Sequence, residues 1–226
     1  MFRVYVGFDP RQPLAYNVLQ SSIQRHTKEQ VAVIPLKLDG LPIKRRGLTE
    51  FTYSRFLVPF LSGYTYQSVF MDADIVVNAD IAELFKCIDL TCSVQVMQEQ
   101  ARFEWASVML FNNHKCRKLT PEFVDDAANP LLDLAWAEKV GMLPQEWNHC
   151  VGYAEPSHAK LYHFTQGVPV WYETRGLPED DVWLAEYDEM RKSCGWKELM
   201  GRSVHAKPTL ERLFNRLTTD IQNGPA

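Results

Sequence analysis

The stretch VFMDADIVVNADIAELF, residues 69–85, decides how the rest of the chain is read. Val69, Phe70 and Met71 form an apolar run that ends on Asp72. Asp74 follows two places later, and Ile75, Val76 and Val77 restore the apolar character. Two carboxylates thus sit inside a segment with the composition of a buried strand. Residues i and i+2 of a strand point to one face, so Asp72 and Asp74 are expected side by side at a strand end. Two close carboxylates repel, and one must hold its proton unless a cation lies between them. A divalent ion that favours oxygen ligands, Mg²⁺ or Mn²⁺, removes the conflict. The plainer reading is that Asp72 ends the strand and caps a turn.

Outward from this segment the chain alternates strands and helices. FRVYVG (2–7) is β-rich and stops at Gly7, Pro13 suits a first helical position, and Leu14, Val18, Leu19, Ser22 and Ile23 form a helical stripe to about His26. VAVIPL (31–36) is a second strand, which gives strand, helix, strand and the start of a parallel α/β sheet. FTYSRFLVPFL (51–61) predicts a short helix bent or ended near Pro59. SVFM (68–71), CSVQVM (92–97), ASVMLF (106–111) and KLYHF (160–164) predict further strands, and Asn78 or Asp80 can cap a helix over ADIAELF. Thr120-Pro121 opens a helical stretch that Asn129-Pro130 interrupts before LLDLAWAEKV, and amphipathic helices are expected around 182–192 and 208–219.

The 226 residues suffice for one sizeable domain with a substantial core. A net charge of −4 gives no global bias toward nucleic acid or a membrane surface. Lys37, Lys44, Arg45, Arg46 and Arg55 nevertheless crowd one region, either as a solvated loop or as a rim for a small anion. The five cysteines (Cys87, Cys92, Cys116, Cys150, Cys194) form no CxxC pair and read as reduced structural thiols. No apolar run approaches the ~20 residues of a membrane span, and Met1-Phe2-Arg3 leads straight into strand-like sequence. The expectation is a cytoplasmic, soluble protein without a leader.

Six stretches, which follow the family's order along the chain, carry a resemblance. VFMDADIVVNADIAELF resembles the metal-binding strand of retaining, family 8-type glycosyltransferases of the GT-A fold. VYVGFDPRQPLAYNVLQSSI is similar to that family's first strand, nucleotide loop and helix, and FTYSRFLVPFL to its arginine-bearing helix. FEWASVMLFNNHKC resembles the strand that meets the donor sugar, with LPQEWN a later short motif, and LYHFTQGVPVW resembles the C-terminal His–Gly–Pro–Trp block. The resemblance implies a single Rossmann-like α/β domain over residues 1–172, with a mixed, mainly parallel sheet and helices on both faces. Residues 173–226 would be a helical extension packed on it.

By the same resemblance, Asp72, Asp74 and His163 would bind Mn²⁺ (or Mg²⁺) together with the diphosphate of a UDP-sugar. Gly7, Phe8 and Asp9 would hold base and ribose, Arg55 would sit near the nucleotide, and Trp105, Ala106 and Ser107 would face the sugar. The family more often has an Asn-Ala-Gly type sequence at that last position. Its C-terminal block usually reads His-x-x-Gly-x-x-Lys-Pro-Trp, whereas here HFTQGVPVW has one more residue before Gly167 and no lysine before Trp171. Either the backbone at Gly167 and a residue such as Arg11 or Lys160 then serve the diphosphate, or leaving-group stabilisation is weaker.

The implied reaction is transfer of a hexose to an unidentified hydroxyl acceptor with retention. Gln98, Glu99 and Asp133 are candidate sugar or acceptor contacts, and none is a convincing nucleophile. Two other readings compete. The pattern Asp72-Ala73-Asp74-Ile75-Val76 also fits the DxDxV nucleophile strand of haloacid-dehalogenase phosphatases. That family needs a late acidic pair at another strand end, and neither Asp125-Asp126, after helix-like LTPEFV, nor Asp180-Asp181, in a loop, fits. A non-catalytic nucleotide-sugar-binding protein could carry the same metal site.

Overall fold

β1 (Phe2–Gly7), α1 (Pro13–His26) and β2 (Val31–Leu36) form the first βαβ unit within the boundaries expected from sequence. Pro13 lies in the first turn of α1, where its missing N–H would have no intrahelical partner. Then follow α2 (Val58–Leu61), β3 (Gln67–Met71), β4 (Ile75–Val77), α3 (Ile81–Lys86), β5 (Val94–Val96), β6 (Val108–Asn112), α4 (Pro121–Asp125), β7 (Val140–Met142), β8 (His149–Cys150), β9 (Leu161–His163) and α5 (Asp180–Ser193). The computed structural model describes residues 1–98, 106–153, 155, 158–170 and 173–193.

The strands form a six-stranded sheet in the order β2-β1-β3-β6-β5-β7 and a three-stranded sheet in the order β4-β9-β8. β1 is parallel to β2 and β3, and β5 to β7, while β6 runs antiparallel to both its neighbours. The central sheet is therefore mixed. Alternation sets its two faces: Tyr5, Phe70, Val94, Val96, Met109 and Phe111 join Phe56, Leu57, Leu131 and Trp136 in one core. Val4, Val6, Val69, Met71, Val108 and Leu110 point the other way and are equally buried, so both faces are covered.

Helix ends follow local chemistry. The Asp80 carboxylate accepts from Ala82 N–H at 3.0 Å, and the Thr120 hydroxyl from Phe123 N–H at 3.3 Å, each satisfying an orphan donor of a first turn. Pro59 departs from expectation. It stands in the first turn of α2, after a 3₁₀ turn over Ser54–Leu57, and so begins the α-helix instead of ending one. LLDLAWAEKV is also not a helix. Leu134 has φ +60°, which an α-helix cannot accommodate, and the segment proceeds by turns into β7, a strand the sequence did not announce.

The chain divides into two compact units, Met1–Glu186 and Tyr187–Ala226. Within the first, Trp183 on α5 is wholly buried, and Glu186 is held by Arg25 and by His26 Nε2 at 3.0 Å, both from the end of α1. Of the second, only the last turns of α5 are described; the helix expected at 208–219 lies outside the described residues.

Candidate metal centre

The two aspartates do not share a strand. β3 ends at Met71, and its pairing with β6 is extended by Asp72 N–H donating to Ser107 O at 2.9 Å. β4 then opens the other sheet, where Ile75 lies opposite His163 and Phe164 N–H donates to Asp74 O at 2.9 Å. Asp72 is thus the last register position of one sheet and Asp74 the first of the next, with buried Ala73 as the hinge. This crossing, rather than strand alternation, brings ligand atoms of Asp72, Asp74 and His163 within 4.8 Å of one another. His163 is 2 % exposed, and the side chains of Asp72 and Asp74 are 14 % and 31 % exposed, so the cluster opens on the Asp74 side.

Charge is balanced differently from the expected mutual repulsion. Arg55 is buried, with its Nη2 3.0 Å from Asp72 Oδ1. Its Nη1 donates to Ala106 O at 2.5 Å, its Nε to Phe51 O at 3.2 Å, and its guanidinium lies 4.7 Å from the Phe70 ring centre. Asp72 therefore has a built-in counter-ion, and Arg55 is no surface salt-bridge residue. Asp74 meets His163, whose Nε2 lies 3.2 Å from Asp74 Oδ1. Burial alone would lower the His163 pKa. The neighbouring Asp74 carboxylate, with the Cys150 thiol, outweighs it and holds the ring well above the ordinary histidine value.

Asp74 Oδ1 is buried and accepts no well-formed hydrogen bond, which leaves an acceptor site directed into the cluster. Two carboxylates and one imidazole suit Mn²⁺ or Mg²⁺, with imidazole tilting the choice toward Mn²⁺. The residues present fit such an ion.

Behind His163 stands Asn148, the last residue of LPQEWN. It is fully buried, its Oδ1 lies 3.2 Å from His163 Nδ1, and its Nδ2 donates to Ser107 Oγ at 3.0 Å. Ser107 is 1 % exposed and serves this inner network. Ala106 is buried and contributes its carbonyl to Arg55; Trp105, Glu99 and Trp171 lie outside the described residues.

The register of β1 against β3 puts Gly7 beside the aspartate hinge, at the C-terminal edge of the parallel strands where α/β sheets bind ligands. A cleft of about 380 Å³ opens there, lined by Phe8, Pro10, Lys37, Leu38, Asp39 and Glu50. Lys37 Nζ lies 5.0 Å from the Phe8 ring centre. Gly7 is glycine because a Cβ would come within 2.4 Å of the Phe51 ring, so the close approach is made by this side chain. The Asp9 carboxylate is grasped by Arg11, whose Nη2 is 2.6 Å away; that hydrogen bond keeps Asp9 below the usual carboxylate range.

Gly167 has φ +112° and its N–H donates to Phe164 O at 2.7 Å, so this donor is spent on a turn. Lys160 pairs with Glu83 and Glu146 at 2.8 and 2.9 Å, beside the Val77 end of β4 and away from the aspartates. In this arrangement the Gly167 N–H and the Lys160 ammonium are both engaged within the protein. The basic run does not form a single rim either. The Arg45 guanidinium caps carbonyls of Val124, Asp126 and Asn129, and Arg46 pairs with Glu50 and Asp39; Lys37 lines the cleft. Gln98 is half-buried, and Asp133 accepts from Ala135 N–H at 2.9 Å within a turn. The described cysteines, Cys87, Cys92, Cys116 and Cys150, are free thiols, and no described helix is long and apolar enough to cross a membrane.

No protein-family profile matches the chain. Protein CDI of Arabidopsis thaliana is 32% identical over 228 residues, a match spanning 84% of this chain and 88% of that protein. The chain belongs to the Protein CDI family. Solved structures place the fold of this chain. The WbbM bifunctional glycosyltransferase matches with a TM-score of 0.62 at 15% identity, over 84% of this chain and 51% of WbbM. The glycosyltransferase GlyE of Streptococcus pneumoniae TIGR4 gives a TM-score of 0.62 at 14% identity, over 85% of this chain and 62% of GlyE. An active-site mutant of LgtC, Q189E, gives 0.60 at 12% identity, over 83% and 96%. The chain thus spans about half of WbbM and under two thirds of GlyE. The fold is GT-A.

Proposed function

We propose that this chain is a metal-dependent glycosyltransferase, moving a hexose from a UDP-sugar to a hydroxyl acceptor with retention. The observation that carries the reading is the meeting of Asp72, Asp74 and His163 at a sheet-to-sheet hinge of a GT-A fold, beside an open cleft. Asp72, Asp74 and His163 would hold Mn²⁺. When bound, the ion supplies Lewis-acid stabilisation of the negative charge that grows on a departing diphosphate.

The protein's own residues do the rest. Base and ribose are assigned to the Gly7–Phe8–Asp9 loop, with the Phe8 ring and Lys37 along the cleft. Arg55 locks Asp72 in place and ties it to the Ala106 carbonyl, at the start of the strand assigned to the donor sugar with Trp105 and Ser107. Arg11, whose side chain is 72 % exposed, is the cation assigned to the diphosphate. Gly167 shapes the loop that follows His163.

The phosphatase reading loses its late acidic pair. Asp125 Oδ1 accepts the backbone N–H groups of Lys44 and Arg45, and Asp180 Oδ2 those of Gly176 and Leu177. The test is thermal melting with UDP, Mn²⁺ and both together. A ligand selective for the folded state adds about 2.7 kcal/mol at a hundredfold excess over Kd, several degrees for a chain of this size. UDP with Mn²⁺ is expected to exceed the sum of the separate shifts, because the diphosphate completes the coordination shell. No shift with any UDP and Mn²⁺ combination would sink the reading. Mn²⁺-dependent hydrolysis of a UDP-sugar then separates an enzyme from a binding protein.

A further inference from the structure

The three candidate ligands are joined by a closed chain of contacts that begins and ends at the aspartate hinge. Asp72 N–H donates to Ser107 O at 2.9 Å, Asn148 Nδ2 donates to Ser107 Oγ at 3.0 Å, Asn148 Oδ1 faces His163 Nδ1 at 3.2 Å, and His163 Nε2 faces Asp74 Oδ1 at 3.2 Å. Every side chain between the two aspartates is buried: Ser107 is 1 %, Asn148 0 % and His163 2 % exposed. Water cannot substitute for a missing partner without opening the core.

We propose that Asn148 is the positioning residue of the metal centre, holding His163 with the proton on Nδ1 so that the Nε2 lone pair faces the aspartates. An amide has one end that donates and one that accepts. With Nδ2 engaged by Ser107, only the carbonyl Oδ1 faces the ring, and a carbonyl can only accept. His163 Nδ1 must therefore carry the hydrogen, and a neutral ring so held has its free pair on Nε2. Metal-ligating histidines are commonly fixed this way by a partner on the other nitrogen, and loss of that partner weakens metal binding by about 10–100-fold. The inference rests on the metal-centre reading above. It adds a residue from LPQEWN, on the turn before β8, to a site otherwise built from β3, β4 and β9.

The test uses the full chain. Mn²⁺ is titrated by electron paramagnetic resonance of the free ion into wild type, Asn148→Leu and Asn148→Asp. Leucine keeps the volume and removes the acceptor. Aspartate keeps an acceptor toward Nδ1, and the Ser107 hydroxyl can rotate to donate to it. Wild type is expected to bind, Asn148→Leu about 10–100-fold more weakly, and Asn148→Asp close to wild type. Long-range ¹H–¹⁵N spectra of ring-labelled, Mg²⁺-saturated wild type should show the His163 proton on Nδ1. Equal affinity in wild type and Asn148→Leu overturns the role of Asn148 and leaves the metal centre standing, whereas a proton on Nε2 overturns both that role and ligation through His163 Nε2. Absence of binding in wild type overturns both. Should Asn148→Leu fail to fold, the wild-type spectrum and Asn148→Asp decide the question alone.

Discussion

Asp72 and Asp74 lie two residues apart, yet the protein treats their charges in opposite ways. Asp72 faces Arg55, a buried guanidinium that also grips Phe51 O and Ala106 O and is always charged. Asp74 faces His163, whose charge depends on pH and would be given up to a metal. One half of the site is a permanent structural ion pair; the other is exchangeable. The contrast follows from the hinge: Asp72 belongs to the central sheet and its core, Asp74 to the small sheet and the cluster's more open side.

The largest expected effect breaks both halves. Asp72→Asn and Asp74→Asn each remove an anionic ligand and should lower glycosyl transfer by at least about 10²–10³-fold, as loss of a major electrostatic contact does. Steady-state rates at saturating Mn²⁺ check this; wild-type turnover in either variant would remove the metal role. Stability should separate the two. Asp72→Asn leaves the buried Arg55 without its carboxylate, and breaking such a pair costs about 3 kcal/mol, so the metal-free melting midpoint should drop by several degrees. Asp74→Asn should cost less, since His163 can release its proton.

A smaller effect sharpens the contrast through pH. Folding raises the His163 pKa, so the metal-free folded protein binds that proton more tightly than the unfolded chain does. The resulting stability is complete below about pH 6.5, the unfolded value, and is lost as pH rises through the raised folded value. Metal-free melting midpoints should therefore carry a component that declines over this window. Asp74→Asn should flatten it, and Asp72→Asn should retain it. Mn²⁺ must displace the same proton, so its affinity should climb across that window. Metal-dependent activity should accordingly fall away at a higher pH than an unperturbed histidine would give. A pH-independent Mn²⁺ affinity above 6.5 would contradict the exchangeable half.

The smallest effect is a control outside both halves. Lys160→Ala should change activity little, because Lys160 pairs with Glu83 and Glu146 in partly exposed ion pairs worth at most about 1 kcal/mol. A large loss of activity would show that the lysine reaches the diphosphate after all.

Much of the fold was legible because its signals are local. β1, α1 and β2 follow from strand alternation, Pro13 and a helical stripe, and the Asp80 and Thr120 caps from side-chain chemistry. The failures were positions where tertiary packing overrides pattern. Pro59 begins α2, Leu134 at φ +60° cancels an expected helix, and short β7 and β8 exist through their neighbours' register alone. Of the candidate site, Asp72, Asp74, His163 and Arg55 come together in the fold. Asn148 went without a role because a buried amide gives no sequence signal until its two partners are known. Lys160 pairs with Glu83 and Glu146, partners that lie far from it in sequence and give no local signal.

What the sequence determined alone was the inventory: an α/β chain, a carboxylate pair after an apolar strand, a later histidine and an arginine on a short helix. Only the tertiary structure decided what these residues are to one another. Pairing of β3 with β6 and of β4 with β9 turns a two-residue spacing into a crossing between two sheets. Surroundings then set the charges: taking Asp72 out of water requires Arg55 beside it, and burial would lower the His163 pKa were it not outweighed by Asp74, with the Cys150 thiol. Spacing is written in the chain, whereas counter-ions and protonation depend on which distant segments the fold brings within a few ångströms.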